Sequence, residues 1–153
     1  MNTKSPDEIN QSPSPIAKVA TAGAPAPDRR AITSEEFPRV LGPYSHAVVA
    51  GGFVFVAGQA PIDPVTQEFR LGDIGSETRL ELGNMAFILE TSGSNLASVV
   101  KVSIHLANLD DFEGMNAVYK EFFPSEQPVR TTTQAVLRSG RKIEIDCIAR
   151  LRD

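Results

Sequence analysis

The sequence predicts a single domain of mixed α and β class, with elements in the order β-β-α-β-α-β-β. Short runs alternate apolar and polar side chains, two longer stretches repeat apolar residues at helical spacing, and glycine or proline punctuates the joins. A chain of 153 residues, 41% hydrophobic and 22% charged, suits one core rather than two.

Residues 1–35 stand apart. Ser12-Pro13-Ser14-Pro15 and Gly23-Ala24-Pro25-Ala26-Pro27 are small, proline-rich and without periodicity, so this stretch is expected to be a flexible tail, with the folded domain spanning 36–153. It has no long apolar segment of a secretion signal, and Asp7, Glu8 and Asp28 weigh against an organellar transit peptide.

The folded part opens with Gly42-Pro43-Tyr44-Ser45-His46. Ala47-Val48-Val49-Ala50 and Phe53-Val54-Phe55-Val56-Ala57 then flank Gly51-Gly52, which predicts a hairpin. Gly58-Gln59 ends it, and Pro61 and Pro64 make the stretch to Asp73 a loop. Leu82, Met85, Ala86 and Leu89 predict a helix over 76–92, with Ser76 as N-cap and Gly93 as stop. Val100, Val102, Ile104 and Leu106 alternate with Lys101, Ser103 and His105 in a half-buried strand. Phe112, Met115, Tyr119 and Phe122 share one face of a second helix over 111–123, closed by Pro124.

Two strands finish the chain. Arg130 opens one in Pro128-Val129-Arg130-Thr131-Thr132, and Glu144 lies in the other, Lys142-Ile143-Glu144-Ile145-Asp146-Cys147-Ile148. A guanidinium clamps a carboxylate in two parallel hydrogen bonds, and a carboxylate can activate water, so the two residues point to chemistry on a small anion. Paired as an antiparallel hairpin, with Thr133, Ala135 and Leu137 beside Cys147, Ile145 and Ile143, the strands align their apolar faces. That register puts Arg130, Thr132 and Gln134 on one surface with Glu144 and Asp146, yet holds Arg130 roughly 20 Å from Glu144 at about 3.4 Å per residue. A site using both is then expected to be completed by a neighbouring subunit.

Plainer readings stand beside these. Arg130 also suits a solvated or subunit-bridging ion pair, and Glu144 with Lys142 and Asp146 a surface charge ladder. Tyr44 also suits an aromatic covering the core, and Asn116 a buried amide bonded to backbone. Cys147, the lone cysteine, is on the inward face of its strand and reads as a small hydrophobe. His46 and His105 lack the spacing of a metal site or triad, so no metal is expected. A net charge of −4, a pI near 5.2, no tryptophan and 7% aromatics argue against nucleic-acid binding. No apolar run approaches the roughly 20 residues of a membrane span, and the cytosol is the expected compartment.

Six stretches taken together resemble the reactive intermediate deaminase A family, also called YjgF or Rid. They are Gly42-Pro43-Tyr44-Ser45, Val56-Ala57-Gly58-Gln59, Glu90-Thr91-Ser92-Gly93, Asp111-Phe112 with Met115-Asn116 and Val118-Tyr119, Pro128-Val129-Arg130-Thr131-Thr132, and Ile143-Glu144-Ile145. The resemblance implies a chorismate-mutase-like α+β fold, a mixed sheet packed on one face by two helices, and a homotrimer with ligand clefts between subunits. It implies hydrolysis of reactive enamines and imines such as 2-aminoacrylate to 2-keto acids and ammonia, without a cofactor. By position, Arg130 would hold the substrate carboxylate, Glu144 would position or activate water, and Tyr44 would bond near the imine. Gly58 and Thr132 would line the pocket through backbone groups, with Asn116 in support. Thr132 and His46 stand where members often carry Cys and Gln. A non-catalytic trimer that binds small carboxylates is the alternative, and an endoribonuclease or translation inhibitor a third reading, opposed by the acidic balance.

Overall fold

The computed structural model describes residues 28–152, together with Ala24 and Ala26. Eight elements follow in chain order: β1 (Arg30–Ile32), β2 (Ala47–Ala50), β3 (Phe53–Gln59), α1 (Ile74–Thr91), β4 (Val99–Leu106), α2 (Phe112–Phe122), β5 (Val129–Gln134) and β6 (Ile143–Arg150). The expected order is present, preceded by β1. That strand pairs antiparallel with β2, so the end of the stretch read as a tail belongs to the sheet, while residues 1–23 of that stretch lie outside the described residues.

Gly51 and Gly52 adopt φ of 57° and 80°, the left-handed turn that a two-residue hairpin needs, and Ala50 faces Phe53 across it. Helix α1 starts two residues before the expected N-cap. Asp73 takes that place, its side chain accepting from Ser76 N at 2.7 Å, while the Ser76 hydroxyl donates to the Asp73 carbonyl. Helix α2 ends before Pro124 as expected.

The six strands order as β1-β2-β3-β6-β4-β5. Here the sequence expectation needs correction: β5 and β6 are not a hairpin. β5 runs parallel to β4, with Arg130 beside Val102 and Thr132 beside Ile104, and β6 inserts antiparallel between β3 and β4, with Cys147 beside Val102 and Glu144 beside His105. Alternation of the buried residues then assigns the faces. Val102, Ile104, Ile143, Ile145 and Cys147 are buried under α1 and α2 with Leu82, Met85, Leu89 and Met115, forming one core. Arg130 and Thr132, in register with Val102 and Ile104, are on the helix side. Glu144 and Asp146 are on the opposite, helix-free side with Lys101, Ser103 and His105. The expectation that Arg130 and Glu144 share a face is therefore overturned. Three residues along and two strand spacings across separate their Cα atoms by roughly 14 Å rather than 20. No described helix is long and apolar enough to cross a membrane.

Candidate active site

Strand β3 breaks its pairing with β6 between Val56 and Gln59, a bulge that shifts Ala57 and Gly58 out of the regular ladder. The Glu144 carboxylate occupies the space thus opened. A Cβ built on Gly58 would stand 2.7 Å from Glu144 Oε1 and 3.0 Å from its carboxyl carbon, so the absence of a side chain at 58 is what lets the carboxylate lie there.

The other carboxylate oxygen, Oε2, accepts from Arg141 Nη2. Arg141 is buried, and its Nη1 donates to the Arg138 carbonyl at 3.0 Å, inside a 3-10 turn over Arg138–Gly140 where Ser139 has φ of 64°. This guanidinium is the site residue that sequence reasoning missed. In a strand, residues three apart face opposite ways, and only the turn before β6 folds Arg141 back onto Glu144. The charge beside Glu144 is accordingly a cation rather than Asp146, which faces His105 Nε2 at 3.8 Å.

Two buried carboxylates of α1, Glu77 and Glu81, lie near Arg141 without lining the cavity. Glu77 accepts from Gly72 N at 3.0 Å and Lys142 N at 2.7 Å, tying α1 to the start of β6. One helical turn later Glu81 is fully buried, with neither carboxylate oxygen hydrogen-bonded. Burial first, and then the Glu77 charge, pushes the Glu81 carboxyl well above the ordinary value, while Arg141 opposes this.

Tyr44 completes the cluster from the loop before β2. Its hydroxyl accepts from Leu41 N at 3.0 Å, and its own proton is left for another acceptor. Tyr44, Gly58, Arg141 and Glu144 line one open cavity of about 620 Å³, bordered by Arg39, Phe69 and Arg138. Of the residues singled out in the sequence, the fold thus brings together Tyr44, Gly58 and Glu144.

It holds Arg130, Thr132 and Asn116 elsewhere. The Arg130 guanidinium lies 4.7 Å from the Tyr119 ring centre and 5.6 Å from that of Phe112, with Nη1 3.9 Å from Met115 Sδ. It has no acidic partner among the described residues. Tyr119, buried beside it, has its hydroxyl pushed up to about 12 by desolvation. Asn116 is half-buried on α2, and the Thr132 hydroxyl, on edge strand β5, is buried without a partner among the described residues. Cys147 is buried in the core and its thiol is pushed up to about 12 by desolvation, an inert small hydrophobe as its alternation predicts. His46 is also buried, Nε2 2.8 Å from the Pro38 carbonyl and its ring edge-on to Phe37, a structural role. The described residues contain no cluster of histidine, cysteine and carboxylate side chains able to hold a metal ion.

Comparison with known proteins shows the family and the fold. The family model described as Endoribonuclease L-PSP matches residues 34–151. The chloroplastic Reactive Intermediate Deaminase A of Arabidopsis thaliana is 39% identical over 138 residues, covering 90% of this chain and 73% of the relative. The human 2-iminobutanoate/2-iminopropanoate deaminase is 36% identical over 122 residues, 79% of this chain and 89% of its own length. Among solved structures, Escherichia coli TdcF with bound serine superposes with a TM-score of 0.74 at 33% identity, covering 81% of this chain and 99% of that one.

Proposed function

Because this chain belongs to the reactive intermediate deaminase family, the RidA/YjgF proteins, we propose that it hydrolyses 2-imino acids, and their enamine tautomers such as 2-aminoacrylate, to 2-keto acids and ammonia. The observation that carries this reading is the Glu144 carboxylate, fixed on one oxygen by Arg141 and open over Gly58 on the other, in a cavity that Tyr44 shares. A carboxylate so held can orient a water and take its proton as the oxygen adds to the carbon bearing nitrogen. The Tyr44 hydroxyl can donate to that nitrogen, which leaves as ammonia while the carbon becomes a keto group. No step calls for a cofactor or a metal.

The substrate carboxylate needs a cation that is not already paired, and Arg130 makes no ion pair among the described residues. It is on the far face of its own sheet, at the exposed end of β5. We therefore propose that Arg130, with Thr132 and Asn116, serves the cavity of a neighbouring subunit in a homotrimer. Support comes from β5 being an edge strand with Val129 exposed, and from a sheet face left without helices.

The test supplies enamine from a pyridoxal-phosphate dehydratase and follows keto-acid formation. Wild-type protein is expected to accelerate it. Glu144→Gln should lower the rate about 10²- to 10⁴-fold and Arg130→Ala comparably, with fold and subunit mass retained. A second reading is a non-catalytic receptor for small carboxylates, favoured by the relative solved with bound serine. It predicts saturable carboxylate binding with no acceleration by the wild type. An RNA-cleaving role finds no histidine pair here, since His46 is buried against Pro38 and His105 bonds Thr133. The cytosol remains our assignment of compartment, against which stands a relative named as chloroplastic; cell fractionation with an antibody decides it.

A further inference from the structure

The cavity around Glu144 carries more positive charge than one carboxylate requires. Arg141 is neutralised by Glu144, but Arg39 and Arg138 border the same space and make no ion pair among the described residues.

Arg39 is held in a built clasp. Its backbone N–H donates to Gln67 Oε1 at 2.6 Å and its Nε donates to the Gln67 carbonyl at 3.0 Å, while the guanidinium stands 5.8 Å from the Phe69 ring centre. Gln67 is itself locked, its amide nitrogen donating to the Phe37 and Pro64 carbonyls at 3.0 and 2.7 Å. Its φ is 61°, a left-handed conformation uncommon outside glycine. The Asp63 side chain secures the same turn by accepting from Val65 N, Thr66 N and Arg70 Nε. A strained residue that spends both its side chain and its carbonyl on one arginine marks that arginine's position as one the fold maintains. With Nε engaged, the two terminal nitrogens form the fork that matches a carboxylate.

We propose that Arg39, seconded by Arg138, receives a second carboxylate at the far end of the substrate, so that this protein prefers imines of acidic amino acids, the dicarboxylic 2-imino acids. This deepens the function proposed above and rests on it. Arg130 from a neighbouring subunit takes the carboxylate next to the imine, Glu144 and Tyr44 attend the imine carbon, and Arg39 and Arg138 read the side chain. The overall change is water plus imine giving a 2-keto dicarboxylate plus ammonia. A cavity of about 620 Å³ has room for the longer chain.

An amino-acid oxidase that generates the imines of glutamate and of norvaline, matched in length, tests this. The wild type is expected to show kcat/KM at least about tenfold higher for the glutamate imine. Arg39→Ala and Arg138→Ala should each collapse that ratio by about tenfold, Arg39→Lys should restore part of it, and Gln67→Gly, which frees the clasp but keeps the turn, should lower it less. No preference in the wild type, or equal loss on both imines in Arg39→Ala, overturns the proposal. Should neither imine be hydrolysed, the catalytic reading falls by itself. Binding of 2-oxoglutarate against 2-oxovalerate then decides: tighter binding of the former, lost in Arg39→Ala, upholds the second-carboxylate site, and equal binding overturns it.

Discussion

At the scale of single residues the site depends on what is missing at 58. Gly58→Ala places a methyl within 2.7 Å of Glu144 Oε1, so the carboxylate must swing away from the cavity or from Arg141. A misplacement of about 1 Å at a reacting group costs on the order of 10²-fold in rate. The variant should therefore keep its circular dichroism spectrum and lose most of its keto-acid production. Glu81 makes a second prediction, in stability. Its carboxyl holds a proton in the folded protein well above the usual 4.5 and releases it near that value when unfolded. The unfolded state then binds fewer protons, so stability falls as pH rises through 4.5 and levels off once the folded carboxyl ionises too. Glu77, Arg141 and Glu144 are the charges that act on it. Glu81→Gln should raise the melting temperature at about pH 7.5, and the gain should vanish near pH 4. An equal gain at both values would refute the account.

Elements differ in how far the sequence reveals them, and the difference is one of range. The β2–β3 hairpin is legible because two glycines sit between alternating runs, and a left-handed turn is a local property. Gly52→Ala should cost about 1–2 kcal/mol, read from the chemical denaturation midpoint, since a Cβ there meets open space but not a permitted φ. Both helices are legible for the same reason, and the error at α1 is only which of Asp73 and Ser76 caps it. The last two strands show where local reading stops. Thr133 and Ala135 can be slid against Cys147 and Ile145 to match polarity, but β6 gains more by covering both β3 and β4, where it is buried on its inner face. β5 is left at the edge, paired to β4 alone.

At the scale of the whole molecule, moving β6 into the sheet changes the reason for an assembled site. Arg130 and Glu144 are not at opposite ends of one surface; they are on opposite faces, one against the aromatic rings of α2 and the other over Gly58. In the site proposed above, each subunit lends its Arg130 to the Glu144 of a neighbour. Two variants each inactive alone, Arg130→Ala and Glu144→Gln, should then complement on mixing after dissociation. With equal amounts and random exchange, about one quarter of the sites pair an intact arginine with an intact glutamate, and about that share of activity should return. Sedimentation of the wild type as a monomer, or no recovery in mixtures shown to exchange, would remove the shared site.

The amino-acid pattern by itself determined the secondary structure from β2 onward, the single core with its helices and inward strand faces, and the candidacy of Arg130 and Glu144. These follow from periodicity, turn chemistry and the side chains suited to an anion. Tyr44 and Gly58 became candidates through the family resemblance, and β1 escaped the pattern. Only the tertiary structure decided that β6 lies between β3 and β4, that Arg130 and Glu144 face apart, and that Arg141, Arg39 and Glu81 converge behind or beside the carboxylate. Strand order and loop closure are set by which burial is greatest over the whole chain, a comparison that no short stretch of sequence contains.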